Sequence, residues 1–287
     1  MPIKTNREKL AQIGVITEIS QPRSSSPYRI STDGQAYPLP GSGGITYNYN
    51  IGDICTGMPF DHVEPGVTSR LEDAAKNGGT NFLACVGNEA WLVSGEAKGA
   101  RGYVTGKHGG AEHVMIWFKP DDLEKMAIGD KIMIRSCGVG LAIDDMPGVF
   151  IKNLDPNLLE KMNLKVVDGV LEVPVATSVP AYLMGSGIGS ATADRGDYDI
   201  MTADKDEYYK CGLDKLRFGD IVLLQDCDTS FGRGYLKGAV TIGVVIHSDC
   251  IIMGHGPGIT TLLTAKSPII RGVKDDKANI AYYLGVK

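Results

Sequence analysis

The sequence predicts a mainly β protein, built of barrel-like or sandwich β units with a few short helices, and three observations carry that prediction. Glycine accounts for 37 of 287 residues, close to twice the average usage of roughly 7%, and it follows no Gly-X-Y period, so it marks many tight turns. Short runs of β-branched and aromatic residues recur along the chain, each closed by Gly, Asn or Asp. A Gly-Asp corner followed by an apolar run appears at Gly129-Asp130 and again at Gly219-Asp220, with a shorter echo at Gly52-Asp53.

Taken in chain order, 14–19 (GVITEI), 82–86, 91–94, 114–118 and 131–135 (KIMIR) read as strands. Asp155-Pro156 before NLLEKM supplies an N-cap with proline at the first helical position. Segments 121–126 and 204–210 each suit a short helix. In 164–173 (LKVVDGVLEV), Asp168-Gly169 separates two apolar runs, and this pair provides the positive φ angles of a type I′ hairpin turn. The two longer Gly-Asp corners each follow a helical turn and precede a buried strand. Glycine turns the chain there while the aspartate bonds nearby backbone N–H groups. The repeat suggests an internal duplication, with an N-terminal β domain at 1–150 and a C-terminal one at 151–287.

A net charge of -5 leaves no basic stripe to neutralise phosphates, which argues against a nucleic-acid partner. The opening MPIKTNREKLAQIGVITEI carries charges where a secretory signal needs its apolar core. The longest apolar run, 239–246, is eight residues, far short of the ~20 that span a membrane. Six cysteines are scattered without a C-x-x-C pair, as buried free thiols in a reducing compartment would be. Together these predict a cytoplasmic protein without membrane partners. Open strand edges predict a homo-oligomer.

Four segments carry candidate chemistry. In Met184-Gly185-Ser186-Gly187-Ile188-Gly189-Ser190, clustered glycines allow backbone N–H groups to converge on an anion, although a plain turn between strands also fits. The segment lacks the Lys-Ser/Thr of a phosphate-binding loop. In 225–235, Asp226 and Asp228 share a face if the backbone stays extended, where they could act as a base or hold a cation, and Arg233 between glycines could pair with a carboxylate. The alternative is an aspartate-rich turn with an ordinary ion pair. His255, flanked by Gly254 and Gly256, is open to proton transfer or ligand contact, and His247 lies upstream at an expected hairpin turn. Finally, Asp61-His62-Val63-Glu64 and His108-Gly109-Gly110-Ala111-Glu112-His113 group imidazoles with carboxylates, donors that suit zinc or a similar divalent ion. Their spacing matches no standard zinc signature. All five histidines fall in Gly- or Asp-marked loops rather than in apolar strands, a distribution that favours a site more than any single histidine does.

Read together, MGSGIGSATADRGDYDI, the LxxGDIVLLQD strand and FGRGYLKGAVTIGVVIHSDCIIMGHGPG resemble a prokaryotic family defined as a two-part domain of unknown function. The resemblance covers nearly the whole chain. It implies a largely β structure, as in thermophile members solved by structural genomics, and no established activity. The chain is also similar, more faintly, to the acetamidase/formamidase family of β-rich hydrolases, which carries a G-N-x-D element, an L-x-x-G strand and a D-x-H segment. Gly196-Asp197-Tyr198-Asp199 stands at the first and Leu216-Arg217-Phe218-Gly219 at the second. Asp226-Cys227-Asp228 stands at the third, without its histidine.

These readings favour a hydrolase acting on an amide-type C–N bond of a small polar or anionic molecule, with a divalent metal as candidate cofactor. Asp226, Asp228 and His255 are its expected catalytic groups. Arg233, His247 and the Gly185, Ser186, Gly187 and Gly189 loop are its expected ligand contacts, and His62, Glu64, His108 and His113 its expected metal ligands. A non-catalytic binder and an assembly protein are the alternatives.

Overall fold

The computed structural model describes residues 3–23, 28–37 and 42–287. Strand-forming runs of the first half pair into a seven-stranded sheet that curls into a half-barrel. Its order is Ile13–Glu18, Lys131–Ser136, Glu89–Leu92, Arg101–His108, His113–Phe118, Gly66–Ser69, Ile45–Thr46, and every pairing is antiparallel. A second sheet runs Phe150–Ile151, Gly258–Ala265, Gly234–Val245, Ile221–Asp228, Thr177–Val179, and Tyr198–Asp199 also pairs with Gly258–Ala265. No helix among the described residues is long and apolar enough to cross a membrane.

The predicted hairpin is present. Lys165–Val167 pairs antiparallel with Val170–Val175 across Asp168 and Gly169, whose φ angles are 51° and 78°. All three Gly-Asp corners share one construction. Gly52, Gly129 and Gly219 take positive φ, and each following aspartate accepts a bond from the backbone N–H three residues back. Asn50 N reaches Asp53 Oδ2 at 2.8 Å, Ala127 N reaches Asp130 Oδ2 at 2.9 Å and Arg217 N reaches Asp220 Oδ2 at 2.8 Å. Asp155 caps the helix Pro156–Lys161 and Asp204 caps Lys205–Lys210.

Segment 82–86 is not a strand. The helix Ala74–Leu83, capped by Asp73, runs into it, and Val86 then makes a lone bridge to Leu154. Gly78 and Gly79 lie inside that helix, and each interior glycine costs about 1 kcal/mol relative to alanine. Tertiary contacts hold the helix instead. The buried Asn77 and Asn81 side chains both donate to Glu112 O, at 3.0 and 2.9 Å.

The chain crosses to the second sheet at Phe150–Ile151, but the core does not divide there. One apolar cluster joins Ile51, Val86, Met115 and Trp117 to Ile221, Ile242 and Leu262, while a smaller one fills the half-barrel around Val104, Phe118 and Ile134. The sheets are also stitched by polar contacts. Thr260 Oγ1 accepts from Lys107 N and donates to Lys107 O, both at 3.0 Å. The fully buried Lys107 ammonium donates to Asn153 Oδ1 at 2.6 Å and Asp194 O at 2.7 Å, and burial pulls its pKa down to about 8. The seam so formed carries His108 on one side and the start of Gly258–Ala265 on the other.

Candidate metal centre

All five histidines meet at this seam. His108 and His113 are register partners at the ends of the strands Arg101–His108 and His113–Phe118, rather than residues of an irregular loop. His62 lies in the loop leading to Gly66–Ser69 and takes a left-handed φ of 47°. His247 follows Gly234–Val245. It sits not in a tight turn but at the buried start of a long connection to Gly258–Ala265. His255 lies in the same connection. The ring centroids of His62 and His108 are 5.3 Å apart, those of His62 and His247 4.7 Å, and those of His108 and His247 4.5 Å.

What fixes these rings is the nitrogen each uses elsewhere. His62 Nδ1 is 2.5 Å from Asp61 Oδ1. His108 Nδ1 bonds Glu64 Oε1, which also receives His113 Nδ1 at 3.1 Å. His247 Nδ1 donates to Ser248 O at 2.9 Å. With Nδ1 engaged in each case, Nε2 is the nitrogen each ring retains for a further contact, that of His247 lying beside Asp197, and one ligand atom from each of the three lies within 4.8 Å of the others. A metal-binding histidine typically hands its second nitrogen to a carboxylate or carbonyl in this way.

Two carboxylates complete the cluster. Asp197 accepts from Gly109 N at 2.6 Å through Oδ1 and lies 2.9 Å from His247 Nε2 through Oδ2. Asp199 Oδ1 is 3.6 Å from His247 Nε2, while its Oδ2 is 3.8 Å from His62 Nε2 and 2.9 Å from His255 Nδ1. The His255 contact is off the line of a hydrogen bond, and that nitrogen has no other partner among the described residues. His113 Nε2, buried, is likewise unpartnered among them. Cys250 Sγ donates to Asp61 Oδ1 at 2.9 Å.

The electrostatics follow from burial set against these contacts. Burial opposes charge on His62, yet the bonds to Asp199 and Asp61 prevail and hold its pKa well above the ordinary value. His247 is raised to about 9, burial again being outweighed by Asp197 and Asp199. On the acid side, burial would raise Glu64, but the charge of His113 and the bond to His108 hold it well below the carboxylate range. Without an ion, then, protons and carboxylates neutralise one another. A divalent cation can take the place of those protons, because it needs neutral imidazole and ionised carboxylate.

The residue set fits such a cation. Three imidazoles with engaged Nδ1 atoms and adjacent carboxylate oxygens form a nitrogen/oxygen donor set suited to zinc or a similar divalent ion, bordered by the unpartnered nitrogens of His113 and His255. His62, His108 and His247 form the first group. Asp199 offers one oxygen towards Asp197 and His247 and the other towards His62 and His255.

Glycines make this crowding feasible. A Cβ on Gly258 would collide with Asp197 Oδ2 and His247 Nε2, one on Gly109 with Ile188 O, and one on Gly185 with Gly254 O. The segment 184–190 therefore serves close packing beside the site. Gly185 N donates to Asp199 O at 2.9 Å and Ser186 N to Gly254 O at 2.6 Å, so these two N–H groups are committed to the protein rather than to an anion. Gly189 packs on Gly109 and Gly110, and Gly187 is exposed.

Asp226 and Asp228 belong to none of the ligating groups among the described residues. The extended backbone that would align them is broken by a bulge between Gln225 and Cys227, with Asp226 at φ 53°. Asp226 Oδ1 accepts from Gly238 N at 2.6 Å across the strand pair beside the bulge, and Asp228 Oδ1 accepts from Ser230 N at 2.9 Å in a local turn. Arg233 is spent internally. Its Nε donates to Tyr198 OH at 2.7 Å and a terminal nitrogen to Met184 O at 3.2 Å, bracing the tyrosine between Asp197 and Asp199.

Asp197-Tyr198-Asp199, noted in the sequence only for its likeness to the G-N-x-D element, is not among the expected site residues. The alternation argument applied to Asp226 and Asp228 belongs here, where the chain does enter a strand at Tyr198–Asp199.

Two cavities adjoin the cluster. One of about 430 Å³ reaches Asp61, His62 and Glu64, and one of about 230 Å³ reaches Cys250 and His255. A larger cavity of about 510 Å³, lined by Lys210, Lys215, Arg217 and Lys274, contains none of the histidines.

Comparison with known proteins agrees with the resemblance read from the sequence. No curated protein matches the chain. The crystal structure of a protein named TM1086 is 43% identical over 99% of both chains, with a TM-score of 0.94. Models of a domain of unknown function (DUF4438) match its N-terminal part at residues 28–160 and its C-terminal part at residues 161–284. The likeness to acetamidases and formamidases rests on its short elements alone. With both parts of that model matched in order, the chain belongs to the DUF4438 family.

Proposed function

We propose that the chain is a metal-dependent hydrolase of small molecules, acting at a divalent ion held by His62, His108 and His247 with Asp197 and Asp199. The observation that carries this reading is the engagement of Nδ1 in all three histidines, by Asp61, Glu64 and Ser248 O, in a group whose ligand atoms lie within 4.8 Å of one another. A divalent ion bound there supplies Lewis-acid polarisation of a carbonyl and activation of water. The protein's own groups do the rest. Asp61 and Glu64 hold the imidazoles in orientation. Ser248 O orients His247 through Nδ1, and Gly109 N pins Asp197 Oδ1 so that its Oδ2 stands beside His247 Nε2. His255 is partly exposed on the polar cavity and contacts Asp199 through Nδ1, so it can pass a proton between the site and solvent. An amide-type C–N bond is favoured because the acetamidase-like element 196–199 contributes Asp197 and Asp199. A cytoplasmic setting suits the six free thiols.

The test is turnover. Protein loaded with zinc, manganese or cobalt is assayed for amine or ammonia release from a panel of simple amides. His255→Ala is expected to retain the ion but lose at least about tenfold in rate. An ion bound tightly with no turnover of any amide would instead favour a non-catalytic metal-binding protein.

A further inference from the structure

We infer that the substrate presents an uncharged aromatic or similarly flat apolar group, which occupies the cavity floored by His62 and Glu64 while the scissile bond lies at the metal. This inference rests on the metal-centre reading and adds a substrate class to it.

The cavity has a volume of about 430 Å³, within the range of small-molecule sites. Ile45, Tyr47, Tyr49, Phe60 and Val63 form the apolar part of its walls, beside Thr46 and Asn48, and among the described residues its ionisable lining groups besides His62 and the two tyrosines are Asp61 and Glu64. Among the described residues neither lysine nor arginine lines it. Asp61 and Glu64 are already matched by Arg29, His62, His108 and His113, so the described wall offers no free cation to an anionic group, and the anionic class of substrate is disfavoured on this side of the site. Tyr47 and Phe60 stand 50% and 45% exposed at the cavity. Large aromatic surfaces left facing solvent beside a polar centre gain from covering a ring or flat acyl group, through apolar burial and ring contact.

The other cavity differs. It carries Lys205, Asp33 and Asp249 along with His255 and is about half the volume, 230 Å³. Cys250, at its wall, bonds Asp61, at the wall of the first, so a single contact separates the two spaces. The apolar body of a substrate therefore has one place to go, and exchange with water has another.

Hydroxamates test this without knowledge of the substrate, because they chelate metal centres and carry a variable side group. Cobalt-loaded protein is titrated with acetohydroxamate, benzohydroxamate and para-carboxybenzohydroxamate, and binding is followed in the visible cobalt spectrum. Benzohydroxamate is expected to bind about tenfold or more tightly than acetohydroxamate, and the para-carboxylate is expected to remove that gain. Phe60→Ala should shrink the preference for the ring while leaving acetohydroxamate affinity and cobalt content unchanged. Cobalt uptake with equal affinities, with tighter binding of the carboxylate, or with no hydroxamate response overturns the substrate inference alone. Failure to take up cobalt overturns the metal-centre reading, and this inference with it.

Discussion

His62, His108 and His247 differ in what holds the nitrogen turned away from the cluster: a carboxylate for His62, a carboxylate shared with His113 for His108, and a backbone carbonyl for His247. Glu64 is thus the residue whose change disturbs two rings at once. Glu64→Gln is expected to lower metal affinity by roughly 10–100-fold with the three facing imidazoles intact, as measured by competitive titration with a chromophoric chelator. Asp228→Asn should leave that affinity unchanged, since its carboxylate serves Ser230. Protonation gives a second handle. His247 has its pKa raised to about 9 in the ion-free protein, so its protonated form stabilises the fold. That contribution is complete below the unfolded value of about 6.5. It is lost as pH rises through about 9. Chelator-treated protein should therefore melt at progressively lower temperature across this window, while metal-loaded protein, with neutral imidazole, lacks this slope. Parallel melting curves would contradict the assignment. The histidines and Glu64 drew notice in the sequence because each stands near Gly or Asp, although His108 and His113 prove to be strand residues and His247 follows the longest apolar run. Asp226 and Asp228 misled because a bulge is a one-residue event that alternation cannot foresee.

Elements place these residues through close backbone approach, and glycine is what permits it. Gly258 opens the strand that faces Lys107 and His108, and a side chain there would collide with both Asp197 and His247. Gly258→Ala is expected to cost about 1–3 kcal/mol by overpacking and to lower metal affinity as well. Calorimetry with a parallel metal titration checks both, and wild-type values for each would refute this role. The corners are a separate matter of local chemistry. Asp130→Ala should destabilise by about 1–2 kcal/mol, leaving Ala127 N and Ser94 Oγ without their acceptor, and should not alter metal binding. Corners, caps and the Asp168-Gly169 hairpin were readable in the sequence because each is decided by two to four neighbouring residues. The helix Ala74–Leu83 was not, because its own sequence disfavours helix and distant Glu112 O rescues it.

At the scale of the whole molecule, the centre exists only where two sheets meet. Its ligands come from the loop before Gly66–Ser69, from the hairpin 108–113, from 197–199 and from the connection 246–257, which lie far apart in the chain and share one apolar core. Composition and turn chemistry revealed two β-rich halves, but nothing local announces that His62 and His247 touch. In the proposed reading, an ion bound there would act as a clamp between the halves. An ion that binds only the folded chain at a thousand times its dissociation constant stabilises by about 4 kcal/mol. The most direct test is therefore elemental analysis of the purified protein, before and after chelation and reloading, joined to its melting temperature. At least one divalent ion per chain is expected, with a melting temperature that falls on chelation and recovers on reloading, and with both effects lost in His62→Ala and His247→Ala. A chain that retains no zinc, manganese or cobalt, and whose melting temperature is indifferent to all three, would contradict the metal centre.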